Sequence, residues 1–192
     1  MKSSAFSHRR VAFALAMMSV SLTFSSEPME ESKLLDIIAR PHSVVPLIEP
    51  MRIYPKAREY QLIVENKMLD GTTSTGKATA KEKWVDGRFI VSEAQPAGPE
   101  TKFAMVVEYD HDSDSYRKYI VMGGQLTGYQ VGTRVGKSRA VTWIDLSPAK
   151  FGPEADCLTT ETHTDTSTTW ISLFFIKGML ERTESGTALV TK

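Results

Sequence analysis

The fold of this chain is decided by FAMVVEYDHDSDSYRKYIVM, residues 103–122, in which two regular runs flank an acidic centre. One face of the first run carries a large apolar or aromatic side chain at every second position: Phe103, Met105, Val107 and Tyr109. Such alternation is typical of a β-strand, and the cluster of Asp and Ser at 110–115 is typical of a turn. The stretch therefore predicts two antiparallel strands joined by an acidic tip.

The same period of two continues along most of the chain, with Gly- and Pro-containing turn signals between the runs. The further runs are residues 60–65, 81–85, 88–93, 128–135, 139–145, 157–163, 168–177 and 180–183. About nine or ten strands at this close spacing favour an antiparallel meander. Closure into an up-and-down barrel would remove the exposed edges, so the sequence predicts an all-β barrel, with a β-sandwich as the alternative.

Residues 1–26 have the features of a secretory signal peptide. A basic segment with Lys2, Arg9 and Arg10 precedes an acid-free apolar run at 11–22, and small polar residues follow. Cleavage is expected after Ser25 or Ser26, although the common A-x-A pattern is not met. The sequence thus predicts an exported protein, periplasmic or extracellular.

Charge and composition narrow the class of protein. Removing three basic residues from 23 leaves 20 basic against 23 acidic residues, and the absence of a basic stripe argues against a nucleic-acid partner. The mature chain has no second apolar stretch long enough to span a membrane. The single cysteine cannot form an internal disulfide. No cofactor is predicted, and the oligomeric state is left open.

The segment before the first strand has two parts. Residues 29–40 place Leu34, Leu35, Ile37 and Ile38 on one flank, which predicts a short helix. Residues 41–55 contain four prolines and several apolar side chains, so we expect an extended strap that lies on the domain. The predicted organisation is a signal peptide at 1–26, a helix and strap at 27–55, and a barrel domain at 56–192.

The stretch KEKWVDGRFIVSE, residues 81–93, raises a question about two acids. A two-residue Asp86-Gly87 turn would pair Trp84 with Phe89 across a hairpin. One face would then carry Ala80, Glu82, Trp84, Phe89, Val91 and Glu93. In this register Glu82 and Glu93 are diagonal neighbours, near enough for their carboxylates to approach.

Three interpretations of Glu82 and Glu93 compete. They could form an acid pair in a hydrolase or isomerase, as in glycosidases. They could be polar contacts in an otherwise apolar ligand cavity. They could also be hydrogen-bonded structural acids in a filled barrel, which would make the protein a structural or interaction domain.

Two other motifs are weak. GTTSTGKA, residues 71–78, approximates a phosphate-binding loop but has Ala78 where a hydroxyl is needed. DHDSDS, residues 110–115, begins like a calcium loop but lacks the glycine and the glutamate that the loop requires, with Ser115 and Val121 in their places. The histidines show no metal-ligand spacing, so no metal site is predicted.

The runs WVDGRFIVSE, VVEYD and SYRKYI, within residues 84–120, resemble the bacterial domain-of-unknown-function family 1579, and TETHTDTSTTWISLFFIKGMLERT, residues 160–183, is similar to its closing strands. The resemblance covers roughly residues 55–184 and implies a calycin barrel, the architecture of lipocalins and fatty-acid-binding proteins. The positions that match are Gly87, Arg88, Phe89, Ser92, Glu93, Tyr109, Asp110 and Tyr116. Glu108 departs from the glycine of the family, and no activity follows from the resemblance. The G-x-W-x-G-x-G opening of a related heme-binding group is absent.

The leading hypothesis is a non-enzymatic, exported, lipocalin-like barrel that binds a small apolar or amphipathic ligand. The residues expected to contact this ligand are Glu82, Trp84, Phe89, Glu93, Tyr109, Trp143 and Trp170. No catalytic residue is assigned, and a hollow interior is the feature that would separate this hypothesis from a filled structural barrel.

Overall fold

The computed structural model describes residues 27–56, 59–97, 101–146 and 155–191. These residues form a closed antiparallel barrel of ten strands in which every strand pairs with its neighbours in sequence, and the first strand pairs with the last. The predicted all-β, up-and-down, calycin-like barrel is therefore confirmed, and the alternative of a β-sandwich is wrong. The predicted signal peptide lies outside the described residues.

The regular elements follow one another with short connections. A helix α1, Glu31–Ala39, and a short 3-10 helix, Glu49–Ile53, precede the barrel. The strands are β1 Glu59–Met68, β2 Thr73–Val85, β3 Phe89–Pro96, β4 Phe103–Asp110, β5 Ser115–Met122, β6 Gln125–Arg134, β7 Ala140–Asp145, β8 Ala155–His163, β9 Ser167–Ile176 and β10 Met179–Val190.

The helix covers part of the outer surface of the barrel. Its buried residues, Leu34 and Ile37, pack against a cluster that contains Val91, Val106 and Tyr119 from neighbouring strands. These strand residues point away from the interior, because they alternate with side chains that line it. The predicted helix is thus confirmed, and it explains why both faces of β3 to β5 are apolar.

The proline-rich strap closes one end of the barrel. Leu47, Met51 and Ile53 are buried in a cluster with Tyr116 and Trp143 from the barrel interior. The Tyr116 hydroxyl donates a hydrogen bond to the carbonyl of Pro50, at 2.8 Å. The predicted strap therefore does more than lie on the domain, since its apolar side chains fill this closed end.

The turn between β2 and β3 differs from the prediction. Val85 pairs with Phe89, so the turn contains three residues, and Asp86 and Gly87 both have positive φ. The carbonyl of Gly87 accepts a hydrogen bond from the Ile48 amide, and a Cβ at Gly87 would lie 2.6 Å from the carbonyl oxygen of Pro46. The strap therefore packs against this turn, and the predicted two-residue register is wrong by one position.

Two glycines on the inner face make room for tryptophan rings. A Cβ on Gly132 would lie 2.6 Å from the Trp143 ring on the next strand, and one on Gly186 would overlap the Trp170 ring. Trp143 is fully buried at the closed end, whereas Trp170 borders the open interior. The two indole rings thus occupy the space above a glycine at two different levels of the barrel.

No helix among the described residues is both long and apolar enough to cross a membrane.

Candidate functional site: a cavity inside the barrel

The barrel encloses a cavity of about 410 Å³ above the packed closed end. Much of its wall is apolar, from residues on seven strands: Leu62, Val64, Ala80, Ile90, Phe103, Met105, Val107, Ile120, Trp170 and Ala188. A smaller polar set interrupts this wall, and its titratable members are Tyr54, Tyr60, Glu82, Lys118, Glu161, His163 and Glu184. An apolar cavity with a few polar groups is the usual form of a small-molecule site.

Two of the seven residues predicted to contact a ligand line this cavity, Glu82 and Trp170. Three others, Trp84, Tyr109 and Trp143, belong to the packed cluster at the closed end. Trp143 is 0% exposed there, so it supports the floor of the cavity without lining it.

The remaining two, Phe89 and Glu93, lie on the outer face. Glu93 pairs with Lys81 and Glu82 pairs with Ser92, which places the two carboxylates on opposite faces of the sheet. Phe89 is buried under α1, and Glu93 lies 3.4 Å from the ammonium group of Lys83. The predicted placement of Glu82 and Glu93 on one face is therefore wrong, because the extra turn residue shifts every side chain of β3 to the other face.

A buried ion pair spans the cavity between β5 and β8. The Lys118 ammonium group donates to Oε1 of Glu161, and both side chains are largely buried. The same ammonium group lies 4.1 Å from the centre of the Trp143 ring. Although burial opposes it, the charge of Lys118 and its hydrogen bond lower the pKa of Glu161. The Glu161 carboxylate is therefore ionised and paired within the cavity wall.

His163 lies next to this ion pair and is neutral. Its Nδ1 atom is 2.9 Å from Oγ1 of Thr168, and its ring contacts that of Tyr54 with 4.4 Å between centroids. Burial lowers the pKa of His163 to about 4, helped by the charges of Lys118 and Arg139 and opposed by that of Glu161. The imidazole therefore acts as a neutral hydrogen-bonding group.

Glu82 faces the cavity without a cation. Burial raises the pKa of Glu82 to about 8, against hydrogen bonding from Tyr60 and Trp84, which lowers it. Its Oε1 atom is buried and has no hydrogen-bond partner among the described residues. The carboxyl group is therefore mainly protonated at neutral pH and can donate a hydrogen bond.

Further polar groups of the wall are satisfied within the protein. The hydroxyl groups of Thr159 and Ser172 lie 2.8 Å apart across β8 and β9. The Trp170 indole donates to Oε1 of Glu184 at 3.2 Å. These hydrogen bonds stabilise the wall. The buried side-chain atoms of the described wall residues that lack a hydrogen-bond partner are the Tyr54 hydroxyl, Oε1 of Glu82 and Nε2 of His163.

Sequence reasoning did not assign Tyr54, Lys118, Glu161 or His163 to the site. Alternation along β8 does place Glu161 and His163 on one face, and that signal was present in the sequence. No local pattern predicts Lys118 opposite Glu161, because β5 and β8 are not neighbours in the sheet. Tyr54 enters only because the strap closes the barrel.

In the described part of the chain, no group of three or more His, Cys, Asp or Glu side chains is arranged to hold a metal ion. The acidic tip before β5 is occupied by its own contacts, with Asp110 accepting from Ser113 and Arg117.

Compared with known proteins, the chain matches no family model and no curated protein. The resemblance to family 1579 therefore stays a prediction, and the geometry of the cavity is what supports a functional proposal.

Proposed function

We propose that this protein binds a small apolar or amphipathic ligand inside its barrel. The observation that carries the proposal is the cavity of about 410 Å³, which falls within the range of about 300–1,000 Å³ common for ligand pockets. An interior filled by side chains, as in a purely structural barrel, would leave no such space. Because Glu82 and Glu93 lie on opposite faces, the geometry gives no support to an enzyme that uses them as a pair.

The apolar wall indicates the chemistry of most of the ligand. Leu62 and Val64 from β1 line the same cavity as Phe103 and Met105 from β4, so a hydrocarbon portion would be largely removed from water. Each buried methylene group contributes about 0.8 kcal/mol of favourable transfer free energy. A short aliphatic or ring-containing molecule could therefore bind without any charged contact.

Two neighbouring residues of β1 provide a matched test. Leu62 lines the cavity, whereas Ile63 is 43% exposed on the outer face. Leu62→Trp would fill the cavity and is expected to weaken binding of the apolar dye Nile red by about tenfold or more. Ile63→Trp adds the same ring outside and is expected to leave dye binding unchanged.

Fluorescence titration of the two variants and the natural protein measures these affinities. Equal dye binding by both variants would contradict binding inside the barrel, as would the absence of any saturable binding by the natural protein. Native mass spectrometry of protein purified from its source would then identify a retained ligand by its mass.

We also propose that the protein works outside the cytoplasm, on the basis of the signal-peptide features of residues 1–26. Cell fractionation combined with intact mass measurement tests this directly. A mature chain that begins after Ser25 or Ser26 is expected in the exported fraction, and an uncleaved chain confined to the cytoplasm would contradict export.

A further inference from the structure

Three buried polar atoms without a hydrogen-bond partner belong to residues that line the same cavity. They are the hydroxyl of Tyr54, Oε1 of Glu82 and Nε2 of His163. Buried polar groups in proteins are nearly always hydrogen-bonded, and leaving one unpaired costs about 1–3 kcal/mol. Three beside one cavity are therefore costly to the protein alone, and a ligand could satisfy them once small side-chain rotations bring these atoms to the cavity surface.

The three residues come from separate parts of the chain, and Tyr54 lies near the other two. The Tyr54 ring contacts the His163 ring at 4.4 Å between centroids. After burial, the charges of Glu161 and Glu82 are among the causes that raise the pKa of Tyr54, which places its hydroxyl within electrostatic reach of both. Tyr54 of the strap thus lies near both Glu82 of β2 and His163 of β8.

Lys118, the one cation among the described residues of the cavity wall, is already paired. The titratable groups that face Glu82 are Tyr60 from β1 and Tyr54 from the strap, and the others on the cavity wall are Lys118, Glu161, His163 and Glu184. Lys118 pairs with Glu161, whereas Glu184 accepts from the uncharged Trp170 indole. An anionic group of a ligand would therefore find no free counter-ion on this wall.

We propose that the ligand carries an uncharged head group with a hydrogen-bond acceptor, such as a ketone or ester carbonyl, held by Tyr54, Glu82 and His163. This inference rests on the proposed function, since it concerns the same cavity. The apolar remainder of the ligand would lie along Leu62, Phe103 and Trp170.

The protonation of the three residues explains the preference for an acceptor. Tyr54 and the protonated carboxyl group of Glu82 each carry an O–H donor. Oε2 of Glu161 lies 3.9 Å from Nε2 of His163, and a carboxylate at this distance favours the tautomer with the proton on Nε2. A carbonyl oxygen has two lone pairs and can accept from two of these donors at once.

The two charged alternatives are less favourable. A carboxylate head would be buried near Glu161 with Lys118 already occupied, which leaves its charge uncompensated. An ammonium head has no lone pair to accept from Tyr54 and Glu82, and its binding would strengthen as the pH rises through about 8 and Glu82 loses its proton. Binding of a carbonyl compound would weaken over the same pH range because the Glu82 donor is lost.

A set of ligands with chains of similar length tests the head group. Isothermal titration would compare decane, methyl octyl ketone, decanoate and decyltrimethylammonium at pH 6 and pH 9. We expect the ketone to bind about tenfold more tightly than each of the others at pH 6, and to lose most of this advantage at pH 9.

Two variants assign the effect to the proposed atoms. Tyr54→Phe keeps the ring and removes the unpartnered hydroxyl, so ketone binding is expected to weaken about fivefold while decane binding is unchanged. Tyr109→Phe removes a hydroxyl away from the cavity, one that donates to Asp114, and serves as the control. Glu82→Gln keeps a donor at all pH values and is expected to abolish the loss of ketone affinity at pH 9.

The outcomes separate the two proposals. Equal affinity for decane and the ketone would overturn the head-group inference and leave the proposed function standing. Preferential binding of decanoate, or of decyltrimethylammonium with an increase at pH 9, would overturn it as well. Failure of all four compounds to bind would instead contradict the proposed function.

Discussion

The closed end of the barrel and the cavity above it are built by the same strands, but they differ in whether a buried tyrosine hydroxyl is hydrogen-bonded. At the closed end, Tyr116 donates its hydroxyl proton to the strap and packs against Trp143 with ring centroids 6.3 Å apart. Tyr54 belongs to the same cluster and is also buried, but it borders the cavity and its hydroxyl has no partner among the described residues. The two tyrosines therefore differ in whether the protein itself satisfies the hydroxyl.

The largest expected effect tests the packed end. Trp143→Ala would remove a fully buried ring that contacts the strap cluster and the Lys118 ammonium group, and is expected to lower the free energy of unfolding by about 3–5 kcal/mol. Trp170→Ala should cost less, since that ring borders a cavity and is partly exposed. Urea denaturation of both variants measures their free energies of unfolding. Equal losses of stability would contradict the distinction between a packed closed end and an open cavity.

The next largest effect is the pH dependence of stability that Glu82 causes in the cavity wall. Because the pKa of Glu82 is raised from 4.5 to about 8 in the folded protein, the native state keeps a proton that the unfolded chain releases. Its contribution to stability is therefore lost progressively as the pH rises from about 4.5 to about 8. Glu82→Gln is expected to be more stable than the natural protein by about 1–3 kcal/mol above pH 8, with little difference at pH 4.

Thermal or urea unfolding across this pH range provides the measurement for Glu82→Gln. A variant whose stability follows the same pH dependence as the natural protein would show that Glu82 does not titrate in this way.

His163 should produce a smaller effect of opposite sign. Its pKa is lowered from 6.5 to about 4, so between these pH values the unfolded chain binds a proton and the native state does not. The free energy of unfolding therefore decreases as the pH falls from about 6.5 toward 4. His163→Gln is expected to remove about 1–2 kcal/mol of this acid-side slope. The slope is the informative quantity, because the substitution also removes the contact with Tyr54 and changes absolute stability at every pH.

The smallest effect concerns the other acid of the same hairpin. Glu93 lies on the outer face, 56% exposed, beside Lys83. Glu93→Gln is expected to change the free energy of unfolding by less than about 1 kcal/mol, as is usual for surface ion pairs. A large pH-dependent change, comparable to that of Glu82→Gln, would contradict the assignment of the two carboxylates to opposite faces.

Much of the fold was predictable because it depends on local alternation. Phe103, Met105 and Val107 line the cavity as their spacing predicts, and the helix at 31–39 lies where the apolar flank placed it. The hairpin register was not predictable from Asp86-Gly87 alone, since a two-residue and a three-residue turn are both compatible with this pair. The strap contacts at Gly87 are consistent with the longer turn, and these contacts join residues distant in sequence.

The site was less predictable than the fold for the same reason. Glu82 was identified because an acid among apolar strand residues is unusual, and Trp170 because large aromatic residues often line cavities. The pairing of Lys118 with Glu161 depends on two strands that meet only across the interior. Such contacts form only when the barrel closes, so no periodic pattern in the sequence predicts them.

The pairing of β1 with β10 has a consequence for how the chain is made. Tyr60 lies opposite Val190, and the Thr191 amide donates to the carbonyl of Glu59, so the last residues of the barrel complete its first strand. During synthesis, β1 has one edge without a partner until the final strand emerges. Unpaired edges of this kind invite pairing with other chains. A protein that lacks its last strand should therefore aggregate through two open edges instead of forming a smaller barrel.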